Sequence, residues 1–273
     1  MTSNSQYPPQ GNNQPVAHHR RWSWLLVPQA DSVAWRLEWS DTAHRARHLQ
    51  FVDELPDDLY PWDARSKGDV ALIVEPDGAR PWVSFSLDQA PRATVAGLFT
   101  SLGKYLRHLH DRPSPEGFGP PGTERFRHTF NSFMTAEFET MNRHLLTLKD
   151  TDQRREAIDS LASLRQELSA FHPHGRSVWT VGRLTPTRLA VHRHPTRLAG
   201  CLDFGDVALR PPEFDLASLR CCGLLGDEQI LADRAFWKGY GAALTRDLER
   251  RISYFCRLIE LKRRLTLPSA RRP

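Results

Sequence analysis

The sequence predicts an α+β fold with a small amino-terminal β lobe and a mainly helical C-terminal lobe. Residues 32–39 (SVAWRLEW) alternate in the manner of a strand, and residues 69–75 (DVALIVE) form an apolar, β-branched run. From residue 95 onward, apolar residues recur at helical spacing, beginning with 95–110. A chain of 273 residues is long enough for one two-lobed domain with a sizeable core.

The amino-terminal part is expected to be reduced. Residues 1–21 are rich in Pro, Gln and Asn and cannot bury enough apolar surface to offset chain entropy, so we expect a disordered tail there. Residues 22–90 are assigned to the small lobe, with one hairpin at most from 22–27 and 32–39, then a helix over 41–55 and the strand at 69–75.

Residues 91–273 are assigned to the helical lobe. Residues 111–124 are rich in Pro and Gly and predict a loop. Further helices are predicted over 125–148, 152–171, 218–225, within 227–244 and over 245–265. The first of these carries an aromatic and methionine stripe, which favours core packing over a substrate groove: Phe126, Phe130, Phe133, Met134, Phe138 and Met141.

Composition excludes several classes of protein. No apolar run approaches the roughly 20 residues that span a bilayer, so no membrane partner is expected. The four cysteines form no CxxC pair, and no export signal is present, which predicts reduced, buried thiols in a cytoplasmic protein without a cysteine metal site. The net charge is +5, but no nucleic-acid-binding module is recognisable, so nucleic acid is not an expected partner.

Three short blocks stand in order between Val181 and Ala217: VGRLTPTRLAV, LDFGD and PPEFDLA. Their order and spacing resemble the C-terminal lobe of the aminoglycoside phosphotransferase and choline kinase superfamily, which is related to the protein kinases. There the first block reads roughly HGDLxPxNxLV. The resemblance implies a kinase-like two-lobe fold, in which Asp203 stands at the position of the Mg²⁺-binding Asp and Asp215 at that of a structural Asp.

The same resemblance shows two changed positions in the first block. The family's Asp, which orients the acceptor hydroxyl, is replaced by Arg183, and its metal-binding Asn by Arg188, while Val181 takes the place of the His. Arginine carries a permanent positive charge and only donors, so it can neither ligate Mg²⁺ nor act as a general base. The candidate catalytic residues are Arg183, which would clamp a phosphate or stabilise developing negative charge, and Asp203, which is also the candidate metal ligand.

The amino-terminal half departs from an active kinase pattern as well. The strand at 32–39 matches the family's strand that carries a nucleotide-binding Lys, but its only basic residue is Arg36. No glycine-rich loop precedes it, and Glu54 lies too near the end of the predicted helix to pair with it. The matching hinge is 74–77, so the candidate nucleotide contacts are Arg36, Val74, Glu75 and Arg188. The sequence leaves open whether ATP and Mg²⁺ bind.

A basic cluster surrounds the first block and indicates either an anionic partner or a solvated turn: Arg183, Arg188, His192, Arg193, His194 and Arg197. The favoured hypothesis is a pseudokinase acting as an accessory subunit. Its partner would be another protein or peptide, such as an active kinase or a modified precursor peptide in peptide natural-product biosynthesis. Two alternatives stay open: an enzyme with non-standard chemistry that uses Asp203, Asp206 and the Arg183/Arg188 loop, and a nucleotide-binding module without turnover.

Overall fold

The computed structural model describes most of the chain: residues 20–26, 33–39, 42–53, 55, 63–67, 71–75, 79–82, 90–169, 177–193, 196–226 and 229–266. Within these residues it confirms the α+β architecture. Short strands dominate the first part, and six helices with three short strand pairings follow.

The amino-terminal sheet has four antiparallel strands in the order β1-β2-β4-β3. Its elements along the chain are β1 (Arg20–Leu26), β2 (Val33–Trp39), α1 (Thr42–Asp53), β3 (Asp63–Lys67) and β4 (Ala71–Glu75). The expected hairpin, helix and strand are all present. β3 was missed because its sequence, DARSK, lacks the apolar alternation that identifies a half-buried strand.

Two further small sheets hold the motif-bearing loops. One has the order β5-β7-β8, and the other pairs β6 with β9. The bounds are β5 (Ala79–Pro81), β6 (Val178–Thr180), β7 (Leu189–Arg193), β8 (Thr196–Cys201) and β9 (Ala208–Arg210). The first loop, residues 181–188, connects β6 to β7 and ends in a 3-10 turn (Pro186–Arg188). The second loop, residues 202–207, connects β8 to β9, so the sheets bring the two loops side by side.

The helices of the second part are α2 (Arg92–Asp111), α3 (Phe130–Leu145), α4 (Thr151–Ser169), α5 (Glu213–Cys221), α6 (Ile230–Tyr240) and α7 (Arg246–Thr266). α2 and α6 approach closely because glycines face each other's backbone. A Cβ on Gly103 would lie 2.3 Å from the Phe236 carbonyl oxygen, and one on Gly239 would lie 2.1 Å from that of Thr100. No helix in the described part of the chain is both long and apolar enough to cross a membrane.

The predicted core stripe is in the core. Phe130, Phe133, Met134, Phe138 and Met141 are all buried on α3, whereas Phe126 precedes the helix and is only half-buried. The expectation for the cysteines was correct for one position. All four are free thiols, but only Cys201 is buried, and the other three are partly exposed at the ends or flanks of α5 and α7.

Candidate functional site

Asp215 on α5 shapes the first loop. Its carboxylate accepts hydrogen bonds from the backbone N–H groups of Val181 and Gly182, both at 2.9 Å, and the side chain is fully buried. Gly182 has φ of +87°, and a Cβ there would lie 2.4 Å from Nη1 of Arg210, so only glycine fits. One turn later, Ser218 Oγ accepts from the N–H of Leu184 at 3.0 Å. Side chains of α5 therefore fix the backbone of the loop.

A buried histidine connects this framework to α6. His110, at the end of α2, places Nε2 3.3 Å from Asp215 Oδ2 and Nδ1 2.8 Å from the hydroxyl of Tyr240. Because a buried carboxylate is stabilised by several donors, the loop, α2 and α6 are held by one polar network. None of this network depends on the residues at positions 183 and 188.

Arg188 lies between the two carboxylates of the second loop. Its Nη2 is 3.4 Å from Asp203 Oδ2, and its Nη1 is 3.2 Å from Asp206 Oδ2. Nη1 also donates to the carbonyl oxygen of Arg183 at 3.1 Å. Arg188 is only 4% exposed and Asp203 is fully buried. Burial works against the charged guanidinium, but Asp203 and Asp206 raise the pKa of Arg188 above its ordinary value, so it stays cationic.

This arrangement does not fit a magnesium ion. Mg²⁺ needs oxygen ligands in near-octahedral geometry, and Asp203 and Asp206 could supply two of them. A permanent cation already stands between these carboxylates and offers no lone pair. Among the described residues, no group of three or more His, Cys, Asp or Glu side chains is arranged to hold a metal.

Asp203 also contacts its own loop and α1. Its Oδ1 accepts the N–H of Gly205 at 2.8 Å. His48 of α1 lies 4.0 Å from the same oxygen, and its Nδ1 accepts the N–H of Phe204 at 3.0 Å. Since Nδ1 accepts a hydrogen bond, it carries no proton in this arrangement. His48 is fully buried and docks α1 directly on the second loop.

Sequence reasoning missed His48. A glutamate was the residue expected on α1 from the family pattern. The contact between His48 and Phe204 joins residues 156 positions apart, so no local pattern reveals it. Glu54, the glutamate of the predicted helix that was weighed as a partner of Arg36, lies outside the described residues.

The other predicted site residues are distributed around this centre. Arg183 is exposed on the first loop, and its carbonyl oxygen is held by Arg188. Arg36 lies in the middle of β2, with its backbone opposite Ser23 of β1 and Ile73 of β4. Val74 and Glu75 end β4, opposite Ala64 and Asp63 of β3. The structure thus places Arg183, Arg188 and Asp203 together, and Arg36, Val74 and Glu75 in the four-stranded sheet.

The predicted basic cluster divides into separate parts. His192 is half-buried on β7, and Arg197 is exposed on β8. His194 lies outside the described residues, as do the side chain of Arg193 and the last two residues of the expected hinge. Arg188 is turned inward, as described above.

Two loops held by small sheets, a buried structural aspartate and a four-stranded sheet define a kinase-like phosphotransferase fold. In agreement, a model of the phosphotransferase enzyme family (APH) matches residues 50–252. This is most of the chain, and the chain therefore belongs to that family. No curated protein is similar enough in sequence to count as a match.

Solved structures of aminoglycoside phosphotransferases share the fold. The GDP and kanamycin complex of APH(2")-IIia has a TM-score of 0.60 and 16% identity, covering 91% of this chain and 86% of that one. ADP-bound APH(2'')-Ib has a TM-score of 0.56 and 14% identity, covering 86% and 81%. APH(3'')-Id from Streptomyces rimosus has a TM-score of 0.54 and 20% identity, covering 88% and 92%. At such identities the likeness shows the fold, which confirms the predicted resemblance.

Proposed function

We propose that this chain is a phosphotransferase-family protein that no longer transfers phosphoryl groups and acts as a binding partner or accessory subunit. The observation that carries the proposal is the position of Arg188 between Asp203 and Asp206, at 3.4 and 3.2 Å. In the family pattern this neighbourhood gathers oxygen ligands around a cation. Here the protein supplies the cation itself.

The charge of Arg188 works against metal binding directly. Two unit charges 4 Å apart interact by about 4 kcal/mol at an effective dielectric constant of 20, and a divalent ion doubles that repulsion. A Mg²⁺ ion would also have to displace the guanidinium from both carboxylates. Phosphoryl transfer depends on metal ions to neutralise the charge that develops on the phosphates, so this site lacks a central part of the machinery.

The second changed position, Arg183, removes the group that would activate the acceptor hydroxyl. Arg183 is exposed on the first loop, where the family pattern has the Asp that orients the attacking hydroxyl. A guanidinium cannot accept the proton of that hydroxyl at physiological pH. The alternative enzyme, with Asp203 as an acid, base or metal ligand, is less well supported because Asp203 is fully buried and engaged by Arg188 and Gly205.

A partner is part of the proposal. The scaffold around the first loop is intact without the catalytic residues, which supports a role in binding. The partner that we propose is an active kinase or a modified precursor peptide in peptide natural-product biosynthesis. That choice rests on the family resemblance.

The test is a comparison of nucleotide turnover and melting temperature. We expect the purified protein to release no phosphate or ADP from Mg²⁺·ATP or Mg²⁺·GTP, and to show no Mg²⁺-dependent rise in melting temperature with either nucleotide. The matched variant is the double substitution Arg183→Asp with Arg188→Asn, which restores both family residues and should show the Mg²⁺-dependent rise. Turnover by the unaltered protein that disappears in Asp203→Ala would overturn the proposal.

A further inference from the structure

Arg210 is a second guanidinium at the first loop, and its hydrogen bonds go to a hydroxyl and a carbonyl oxygen rather than to a carboxylate. Its Nη1 donates to Thr180 Oγ1 at 3.3 Å and to the carbonyl oxygen of Asp206 at 3.4 Å. The guanidinium lies 5.3 Å from the centre of the Phe214 ring. It is half-buried, and both of these hydrogen bonds use Nη1, one of its three nitrogens. Three of its five N–H groups can therefore serve a ligand.

Two more exposed arginines are carried by segments that contact Arg210 or its strand β9. Its Nη1 packs against Gly182, so Arg183 follows directly along the loop and is exposed. The segment carrying Arg125 pairs with β9, since Gly119 and Leu209 exchange two backbone hydrogen bonds of 2.7 and 3.0 Å. Arg125 is also exposed. We call these three residues, Arg125, Arg183 and Arg210, the basic edge.

The acidic groups Glu137, Asp203 and Asp206, which lie near the basic edge, are each paired with a cation. Glu137 of α3 forms an ion pair with Lys262 of α7. Burial works against its ionisation, yet Lys262, Arg210 and Arg125 together hold the pKa of Glu137 below its ordinary value. Three cations thus surround one carboxylate. In the adjacent loops, Arg188 is shared by two carboxylates.

The changed positions alter the charge of this region substantially. Replacing the family's Asp by Arg183 and its Asn by Arg188 adds three positive charges to the first loop. A loop that would attract cations has become one that attracts anions, because the field of a partly buried cluster is only weakly screened by solvent. Guanidinium groups bind carboxylates through paired, charge-assisted hydrogen bonds.

We infer that the basic edge binds the carboxylate side chains of an acidic polypeptide segment. The three guanidinium groups stand on three separate elements, which suits a chain with successive carboxylates better than one small ion. The inference deepens the proposed function by naming the chemistry of the partner, and it rests on that function only for the partner role.

The experiment measures fluorescence anisotropy of a labelled short oligoglutamate peptide and of an oligoglutamine peptide of the same length, with inorganic phosphate as competitor. We expect the glutamate peptide to bind more tightly than the glutamine peptide, and more weakly as salt rises. Arg210→Gln should weaken binding about tenfold or more, which corresponds to roughly 1.4 kcal/mol. Arg234→Gln, an exposed arginine on α6, should change it less than about twofold, as isolated surface charges contribute little.

A second variant guards against misfolding, because Arg210 packs on Phe214. The double substitution Arg125→Gln with Arg183→Gln alters only exposed side chains and should also weaken binding about tenfold. Equal binding of the two peptides, or an equal effect of Arg234→Gln, would overturn the inference. Displacement of the peptide by an equal concentration of phosphate would assign a small-anion site in its place. Nucleotide turnover would overturn the proposed function without affecting these measurements, so the two failures are distinguishable.

Discussion

Replacing Arg188 should lower the stability of the protein. Mg²⁺ should restore part of that stability in the Arg188→Asn variant but not in Arg188→Met. Arg188→Met keeps the length of the side chain but leaves the fully buried Asp203 without its cation. Breaking a buried ion pair by removing one partner costs about 3–5 kcal/mol. At roughly 2–4 °C per kcal/mol, the melting temperature should fall by about 10 °C.

The control is Arg107→Met, which breaks an ion pair between two side chains that are 49% and 47% exposed. Such a surface pair contributes at most about 1 kcal/mol. The assay is thermal unfolding followed by circular dichroism, for the three proteins in parallel.

Added Mg²⁺ then tests whether stability is lost because Asp203 and Asp206 lack a cation. Arg188→Asn removes the cation and supplies an amide oxygen beside Asp203 and Asp206, so Mg²⁺ should recover part of the lost stability. At 100 times the dissociation constant, binding to the native state adds about 2.7 kcal/mol. The Met variant and the unaltered protein should not respond. A loss below about 1 kcal/mol for Arg188→Met, or equal stabilisation of the unaltered protein by Mg²⁺, would refute the reasoning.

Three further predictions follow from packing and charge. Gly103→Ala should lower the free energy of unfolding by about 3 kcal/mol or more, because its Cβ would lie 2.3 Å from a carbonyl oxygen of α6. Gly97→Ala in the same helix leaves 3.9 Å to the nearest atom and should raise the free energy of unfolding by about 0.5–1 kcal/mol. Urea unfolding measures both. Cys221 should be alkylated by iodoacetamide before Cys201. A hydrogen bond from Cys256 lowers the pKa of Cys221, whereas burial raises the pKa of Cys201 to about 12. Peptide mass spectrometry gives the order of alkylation. The pKa of Glu137 is lower in the folded protein than in the unfolded chain, where it is about 4.3. The ionised carboxylate therefore stabilises the fold above that pH, and this stabilisation is lost as pH falls through the folded-state pKa. The difference in melting temperature between wild type and Glu137→Gln should shrink in acid.

Each of these has a clear contrary result. Equal stability changes in the two glycine variants would show that α2 and α6 do not approach as described. Preferential alkylation of Cys201 would show that its thiol is accessible. A difference for Glu137→Gln that grows as the solution becomes more acidic would show that the carboxylate is not ionised in the folded protein.

Sequence reasoning succeeded where the signal is local or is carried by fixed spacing. Three blocks between Val181 and Ala217, in the family's order and with Asp203 twelve positions before Asp215, were enough to identify the two loops and the family. The apolar stripe on α3 predicted its buried face because helical period and burial are directly coupled. β3 could not be predicted, because its residues are polar and only its pairing with β4 makes it a strand.

The electrostatic arrangement of the site was less accessible to sequence reasoning. The composition of the first loop indicated that Arg188 would oppose a metal, but the direction of its side chain decides which groups it contacts. Its pairing with both Asp203 and Asp206 needs the three-dimensional arrangement of β7, β8 and β9. His48 and Arg210 gave no signal for the same reason, since their partners lie on other elements.

The backbone N–H groups of Val181 and Gly182 donate to the buried carboxylate of Asp215, so α5 sets the shape of the start of the first loop. These contacts use neither the side chain at position 183 nor that at position 188, although Arg188 also holds the loop through its hydrogen bond to the carbonyl oxygen of Arg183. Under the proposed function, substitution at position 183 would change the ligand while α5 continues to hold the backbone of the loop. If the proposed function is correct, positions 183 and 188 carry much of the difference between a metal-dependent transferase and an anion receptor, and they are the natural starting point for redesigning its specificity.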